Sequence, residues 1–287
     1  MAILWGASWP AGKILAQAMP PMSAAASRFT IASVLLLIWL RAAQGAWPTV
    51  TAKQWRALTL GAAVGVFAYA VLFMMALQRV DASRAALVVT TNPVFTTLLA
   101  AWLFGERMNK RIALGMVFAL LGASIVLTHG EPWLIFTGGL GWGEVMLLGC
   151  VAGWTGYTLI GKGMLSGIDS LVTTTFTAVI GTLMLWVAAM TFEGPAVMEA
   201  ALQRLTPEQW GAMFFIAIGS TVIAYAWYNR GIAVLGAGTA ASYISLVPVF
   251  GVASSVWWLG EQLDGAVVVG GVLAIVGLVI SNRGRRG

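Results

Sequence analysis

Charge is what this sequence has least of. Acidic and basic residues make up 9 % of its 287 residues, against about 25 % in soluble globular domains, so the chain cannot build a water-facing surface around a core. Cysteine occurs once, at Cys150, and histidine once, at His129. The single cysteine excludes an intramolecular disulfide, and the pair leaves no thiolate or imidazole set for a zinc or redox centre. No catalytic residue, metal ligand or cofactor is therefore expected. No Asp or Glu falls near the middle of a hydrophobic run, which argues against the buried carboxylate relay of a proton pump. Residues 6–13 end in Gly12-Lys13 but lack the following Ser/Thr and the spacing of a nucleotide-binding loop. The net charge of +6 is spread over short loops instead of one basic face, so nucleic acid is not an expected partner.

Apolar sequence is abundant, at 60 % of residues, and the lipid bilayer is the solvent it calls for. A membrane helix needs about 20 apolar residues. Marking such stretches predicts ten spans, over 2–18, 22–40, 55–78, 82–104, 110–128, 142–162, 168–191, 209–232, 236–258 and 264–282. Met1-Ala2-Ile3-Leu4 enters the first with neither a charged lead nor a cleavage pattern, and reads as a span whose cytoplasmic extension is short or missing from this chain. With the N-terminus cytoplasmic, eleven Lys and Arg fall on the cytoplasmic side (Arg41, Lys53, Arg56, Arg107, Lys110, Arg111, Lys162, Arg230, Arg283, Arg285 and Arg286) and three opposite (Arg79, Arg84 and Arg204). That bias predicts both termini in the cytoplasm.

The chain also repeats itself. Pro93-Val94-Phe95, Trp102 and Gly105-Glu106 recur as Pro248-Val249-Phe250, Trp257 and Gly260-Glu261, each 155 residues on. The same offset joins Gly115 to Gly270, Gly122 to Gly277 and Gln54-Trp55 to Gln209-Trp210, while Trp5, Gly12 and Lys13 meet Trp154, Gly161 and Lys162 at an offset of 149. An internal duplication follows, with repeats over 1–130 and 140–283. Five spans per repeat is odd, so the second copy enters the membrane inverted. The expected fold is an all-α integral membrane protein of ten transmembrane helices in two inverted-topology five-helix repeats, an architecture of secondary transporters with the site near the midplane.

Within the spans, chemistry has few carriers. Trp5, Ser8, Trp9 and Gly12 recur at i, i+3, i+4 and i+7, which places them on one helix face, and Trp154, Tyr157, Thr158 and Gly161 repeat the pattern in the sixth span. Tyr225 and Tyr228 share a face with Thr221, and Tyr69 lies near Phe73. These faces suit opposite walls of one cavity; packing of helices through close glycines explains them as readily. Asn92 lies just before Pro93 and Ser242 six residues before Pro248, where a proline frees backbone carbonyls and can bend a helix. Lys13 and Arg28 are the only charges inside spans away from a cytoplasmic end; each is a functional candidate or a side chain reaching the interface or a carbonyl.

The ten spans in two repeats, with Leu4-Trp5-Gly6-Ala7-Ser8-Trp9 opening the first span, Arg28-Phe29 in the second, and Pro-Val-Phe with Gly-Glu closing the fourth and ninth, resemble the EamA family of the drug/metabolite transporter superfamily over the whole chain. The resemblance implies a bundle in which helices 1, 3, 4, 6, 8 and 9 enclose a central cavity and helices 5 and 10 are peripheral. Within the family the chain is most similar to the YddG-type bacterial exporters of amino acids, aromatic ones included. This implies a monomeric carrier in the bacterial inner membrane, moving its substrate outward by alternating access. Substrate-binding residues are then expected at Trp5, Ser8, Trp9, Tyr69, Asn92, Trp154, Tyr157, Tyr225, Tyr228 and Ser242, and hinges at Pro93 and Pro248. A zwitterionic amino acid suits a cavity of dipoles with few full charges. A sugar-phosphate or nucleotide-sugar carrier would need several midspan Lys or Arg. A membrane-embedded lipid-modifying enzyme would need a cluster of His, Asp or Glu at one face, and a channel is opposed by the inverted repeat and the bulky aromatics.

Overall fold

The structure, a computed structural model, describes residues 1–106, 108–137, 139–165, 167–235 and 243–284. Among these residues every regular element is helical: α1 Ala2–Ala18, α2 Pro21–Gln44, α3 Ala52–Leu77, α4 Ala82–Phe104, α5 Lys110–Leu127, α6 Trp142–Met164, α7 Ser170–Glu193, α8 Pro195–Arg204, α9 Pro207–Tyr228 with its helical backbone continuing to Leu235, α10 Val247–Leu259 and α11 Gly265–Gly284, with one further helical turn at Leu134–Thr137 between α5 and α6. Eight of them (α2 to α7, α9 and α11) are long and apolar enough to cross a membrane, and α10 is a shorter apolar helix of 13 residues. Residues 236–242, the first part of the expected ninth span, lie outside the described residues. The amphipathic α8 has no counterpart among the expected spans; Pro195 opens it at its first turn, and Met198 is its buried residue.

Capping sets where the helices begin. Thr51 and Thr206, 155 residues apart, each form a capping box with the Gln three residues on, satisfying two of the free amides at the start of α3 and α9. Asn109 and Asp169 accept from amides of the first turns of α5 and α7. In contrast, α2 begins after Pro20, which has no capping group, and Asp81 makes no capping bond to α4. Both ends are capped from a distance. The Glu193 carboxylate accepts from the Met22 and Ser23 amides at 2.8 Å, and Glu261 accepts from those of Ala82 and Ser83 at 2.7 and 2.9 Å. Four free amides per helix start make such caps necessary in a medium without water.

Matched positions behave alike. Both Gly-Glu phrases end their helix in the left-handed region, at Gly105 (φ 67°) and Gly260 (φ 67°), where glycine carries no steric penalty. A π-helical segment over Ala62–Ala68 widens α3 and another over Phe215–Ile223 widens α9, their last residues 155 apart. The closest helix pair is α5 with α11, and there Gly115 meets Gly277 while Gly122 meets Gly270. A methyl added to Gly115 would lie 2.5 Å from the Gly277 carbonyl oxygen, and one on Gly270 would lie 2.6 Å from that of Gly122. Small residues let helix backbones touch in this way where no hydrophobic force drives them together. Since Gly270 is the partner in sequence of Gly115, the crossing exchanges equivalent residues, as a two-fold interface does.

The main core lies among α1, α3, α4, α6 and α9, with Leu15, Met74, Leu77, Leu87, Leu147 and Met213 fully buried. Trp102 and Trp257, at matched positions, are 79 % and 85 % exposed, and Trp47, Trp55, Trp133 and Trp142 are exposed also. Their indoles face the surroundings at helix ends, as membrane-interface residues do.

Candidate substrate-binding site

Two aromatic arms grow from α1. Trp5 donates its indole N–H to the Ser220 carbonyl at 2.9 Å, which fixes its ring 5.5 Å from those of both Tyr225 and Tyr228. One turn on, Trp9 is buried with its ring 5.2 Å from Phe73. From there the rings continue to Tyr69 (6.0 Å), Trp154 (5.7 Å) and Tyr157 (5.7 Å), and the Tyr157 hydroxyl lies 3.4 Å from that of Thr177. Thus α1, α3, α6 and α9 bring Trp5, Trp9, Tyr69, Trp154, Tyr157, Tyr225 and Tyr228 into one assembly of apolar faces and polar tips.

The π segments help to aim it. That of α3 ends immediately before Tyr69, and that of α9 ends two residues before Tyr225. Such insertions widen a turn and rotate the side chains beyond it, and they recur at functional sites. The first seats Gly65 directly under the Tyr157 ring. The second carries Ser220, whose hydroxyl donates to the Leu4 carbonyl at 2.9 Å while its own carbonyl holds Trp5.

The remaining expected residues fall differently. Ser8 spends its hydroxyl on the Trp5 carbonyl of its own helix, at 2.6 Å. Asn92 begins the second segment of α4, after a break in regular helix at Thr90 and Thr91, and its side-chain oxygen is buried without a hydrogen-bond partner. Ser242 lies outside the described residues. Pro93 and Pro248 sit in the first turn of the helical segments Asn92–Phe104 and Val247–Leu259, where the missing N–H leaves no carbonyl stranded. Lys13 donates to the Val80 carbonyl at 2.7 Å with Asp81 4.0 Å away, the interfacial use of a lysine. Arg28, absent from the expected site, is 7 % exposed and stands over the Phe29 and Phe73 rings. Among the described residues no three His, Cys, Asp or Glu side chains converge as a metal site would require.

At the end marked by Glu261, polar ties join distant parts of the chain: the two carboxylate caps, Arg84 to Asp264 at 2.6 Å and to the Val126 carbonyl, and Gln78 to the Ala16 carbonyl at 3.0 Å. The Val267 amide, with Arg84 adding to it, holds the Asp264 carboxyl below its ordinary range. At the end marked by Glu106, Asn109 donates to the Gly284 carbonyl at 2.6 Å and Lys162 pairs with Glu106, and there are two clefts among the described residues. One of about 330 Å³ runs between α4 and α6 past Thr96, Thr97, Thr158 and the Lys162–Glu106 ion pair, and one of about 290 Å³ reaches Tyr228 beside Met1, Trp227 and Phe250.

A helical bundle with helices of membrane-crossing length around a partly buried aromatic assembly has the makings of a membrane carrier. The EamA-like transporter family model matches residues 1–128 and again 141–283, and the chain belongs to that family, in the drug/metabolite transporter superfamily. It is 29 % identical over 281 residues to the Bacillus subtilis uncharacterized transporter YyaM, covering 98 % of this chain and 90 % of that protein. A probable amino-acid metabolite efflux pump of Escherichia coli is 25 % identical, with 100 % and 93 % covered, and a probable terminal-alkyne amino-acid exporter of Streptantibioticus cattleyicolor is 27 % identical, with 99 % and 92 % covered. One protein crystal structure superposes with a TM-score of 0.67 over 98 % of this chain and 94 % of its own, and at 19 % identity it shares the fold alone. The chain is a membrane transporter of the EamA type.

Proposed function

We propose that this transporter exports amino acids, aromatic ones included, from the cytoplasm by alternating access, as ten membrane helices in two inverted repeats over 1–130 and 140–283. In this reading it is a monomer in the bacterial inner membrane with both termini cytoplasmic, which places the Glu106 end inside and the Glu261 end outside. The double family match, the paired capping boxes, the reciprocal glycine crossing and the matched left-handed Gly-Glu ends support the repeat.

The observation that carries the substrate is the aromatic assembly from Tyr228 to Tyr157. Indole and phenol faces take up an apolar side chain, and their N–H and O–H tips accommodate the polar end of the same molecule. Asn92 contributes an unpartnered acceptor suited to an ammonium group. The amino-acid exporters among its relatives point the same way. In this reading the caps of Glu193 and Glu261 hold the outer end closed, and substrate entering from the Glu106 side favours exchange of that closed end, with Pro93 and Pro248 as bends.

Uptake into liposomes holding the purified protein, with labelled phenylalanine, threonine, methionine and a sugar phosphate, tests this reading. Saturable flux of amino acids and none of the sugar phosphate is expected. Sugar-phosphate flux without amino-acid flux would transfer the chain to the other substrate class.

A further inference from the structure

We propose that Arg28 is the residue that binds the substrate carboxylate, so that the transported molecules are carboxylates as a class. This rests on reading the aromatic assembly as the substrate site. Arg28 lies on α2 and is 7 % exposed. Among the described residues it has no ion pair and no hydrogen bond, and its Nε is buried without a partner. Other cations near helix ends are answered: Lys13 by Val80, Arg84 by Asp264 and Val126, Lys162 by Glu106. A buried guanidinium without an anion is strongly disfavoured unless a group from outside completes it.

Its surroundings specify that group. The guanidinium carbon lies 4.5 Å from the Phe29 ring centroid and 5.5 Å from that of Phe73. Aromatic faces hold the cation without using its N–H donors, which stay available to a planar anion. A carboxylate matches that fork with two parallel hydrogen bonds. Phe73 is also the ring that touches Trp9 and Tyr69. A ligand on Arg28 therefore has its apolar part against the aromatic assembly. One guanidinium balances a single negative charge, which fits a monocarboxylate better than a phosphate ester.

The test compares three ligands on the purified protein by tryptophan fluorescence: phenylalanine, phenylalaninamide, which keeps the ammonium and loses the carboxylate, and 3-phenylpropionate, which does the reverse. Wild type is expected to bind the two carboxylates at least about tenfold more tightly than the amide. Arg28→Gln should lose that preference and Arg28→Lys keep part of it. Equal binding of acid and amide by wild type overturns the proposal, whatever the variants do, and so does a preference that survives in Arg28→Gln or a failure of every carboxylate to bind. Arg28-dependent binding of 3-phenylpropionate in a protein that moves no amino acid would leave this proposal standing and remove the amino-acid reading alone.

Discussion

Replacing Glu261 by Gln should loosen the closed end of the bundle by a measurable factor. The carboxylate receives the Ala82 and Ser83 amides at 2.7 and 2.9 Å, and Asp81 offers α4 no cap of its own. Glutamine keeps one oxygen and loses the charge, so one charge-assisted bond is forfeited, worth about 1.5–3 kcal/mol. At about 1.4 kcal/mol per factor of ten, the ratio of closed to open forms falls roughly ten- to a hundredfold. Val80, two residues before the cap and 4 % exposed, reports the opening. In a Cys150→Ala background, Val80→Cys should react with a maleimide in detergent at a rate proportional to the open fraction, and Glu261→Gln should raise that rate by the same factor. An unchanged rate in a protein that stays folded by circular dichroism would refute the idea that this carboxylate holds the end shut.

Gly115→Ala should lower the thermal midpoint in detergent, because its methyl would meet the Gly277 and Ser281 backbones at 2.5 Å and overpacking of this kind costs about 1–3 kcal/mol; an unaltered midpoint would mean that α5 and α11 are not in contact. Asp264 has a depressed carboxyl in the folded state, so its contribution to stability is present above the unfolded value of about 4 and is lost as pH falls through the folded one. Melting curves should show wild type losing more stability below about pH 4 than Asp264→Asn does, and parallel losses would contradict this. Trp154→Ala should weaken phenylalanine binding about tenfold, since it removes the ring between Tyr69 and Tyr157; titration with retained affinity would take Trp154 out of the site.

Much of this was legible in the sequence where the signal is local. Apolar length placed 82–104 and 110–128 almost on the observed α4 and α5, because a membrane span is decided by a run of side chains. Helix periodicity put Trp5 and Trp9 on one face, and the structure joins each to a separate set of rings. The caps of Glu193 and Glu261 were not legible, since each acts 170 residues or more from the amides it holds. Nor did sequence reveal the π segments, which leave the apolar pattern unchanged while turning Tyr69 and Tyr225. Ser8 looked like a cavity hydroxyl because it shares the Trp5 face, yet the nearest acceptor is its own helix. Arg28 carried a signal, an arginine inside a span, but whether it had a partner depended on α3 packing Phe73 against it.

Counterflow tests the central claim most directly. Liposomes holding the protein are preloaded with unlabelled phenylalanine and exposed to a trace of labelled phenylalanine outside. One site that is open to each side in turn predicts transient accumulation of label above its equilibrium level, abolished in Trp154→Ala. Label that merely equilibrates, at a rate indifferent to internal phenylalanine, would contradict alternating access to a single aromatic-lined site.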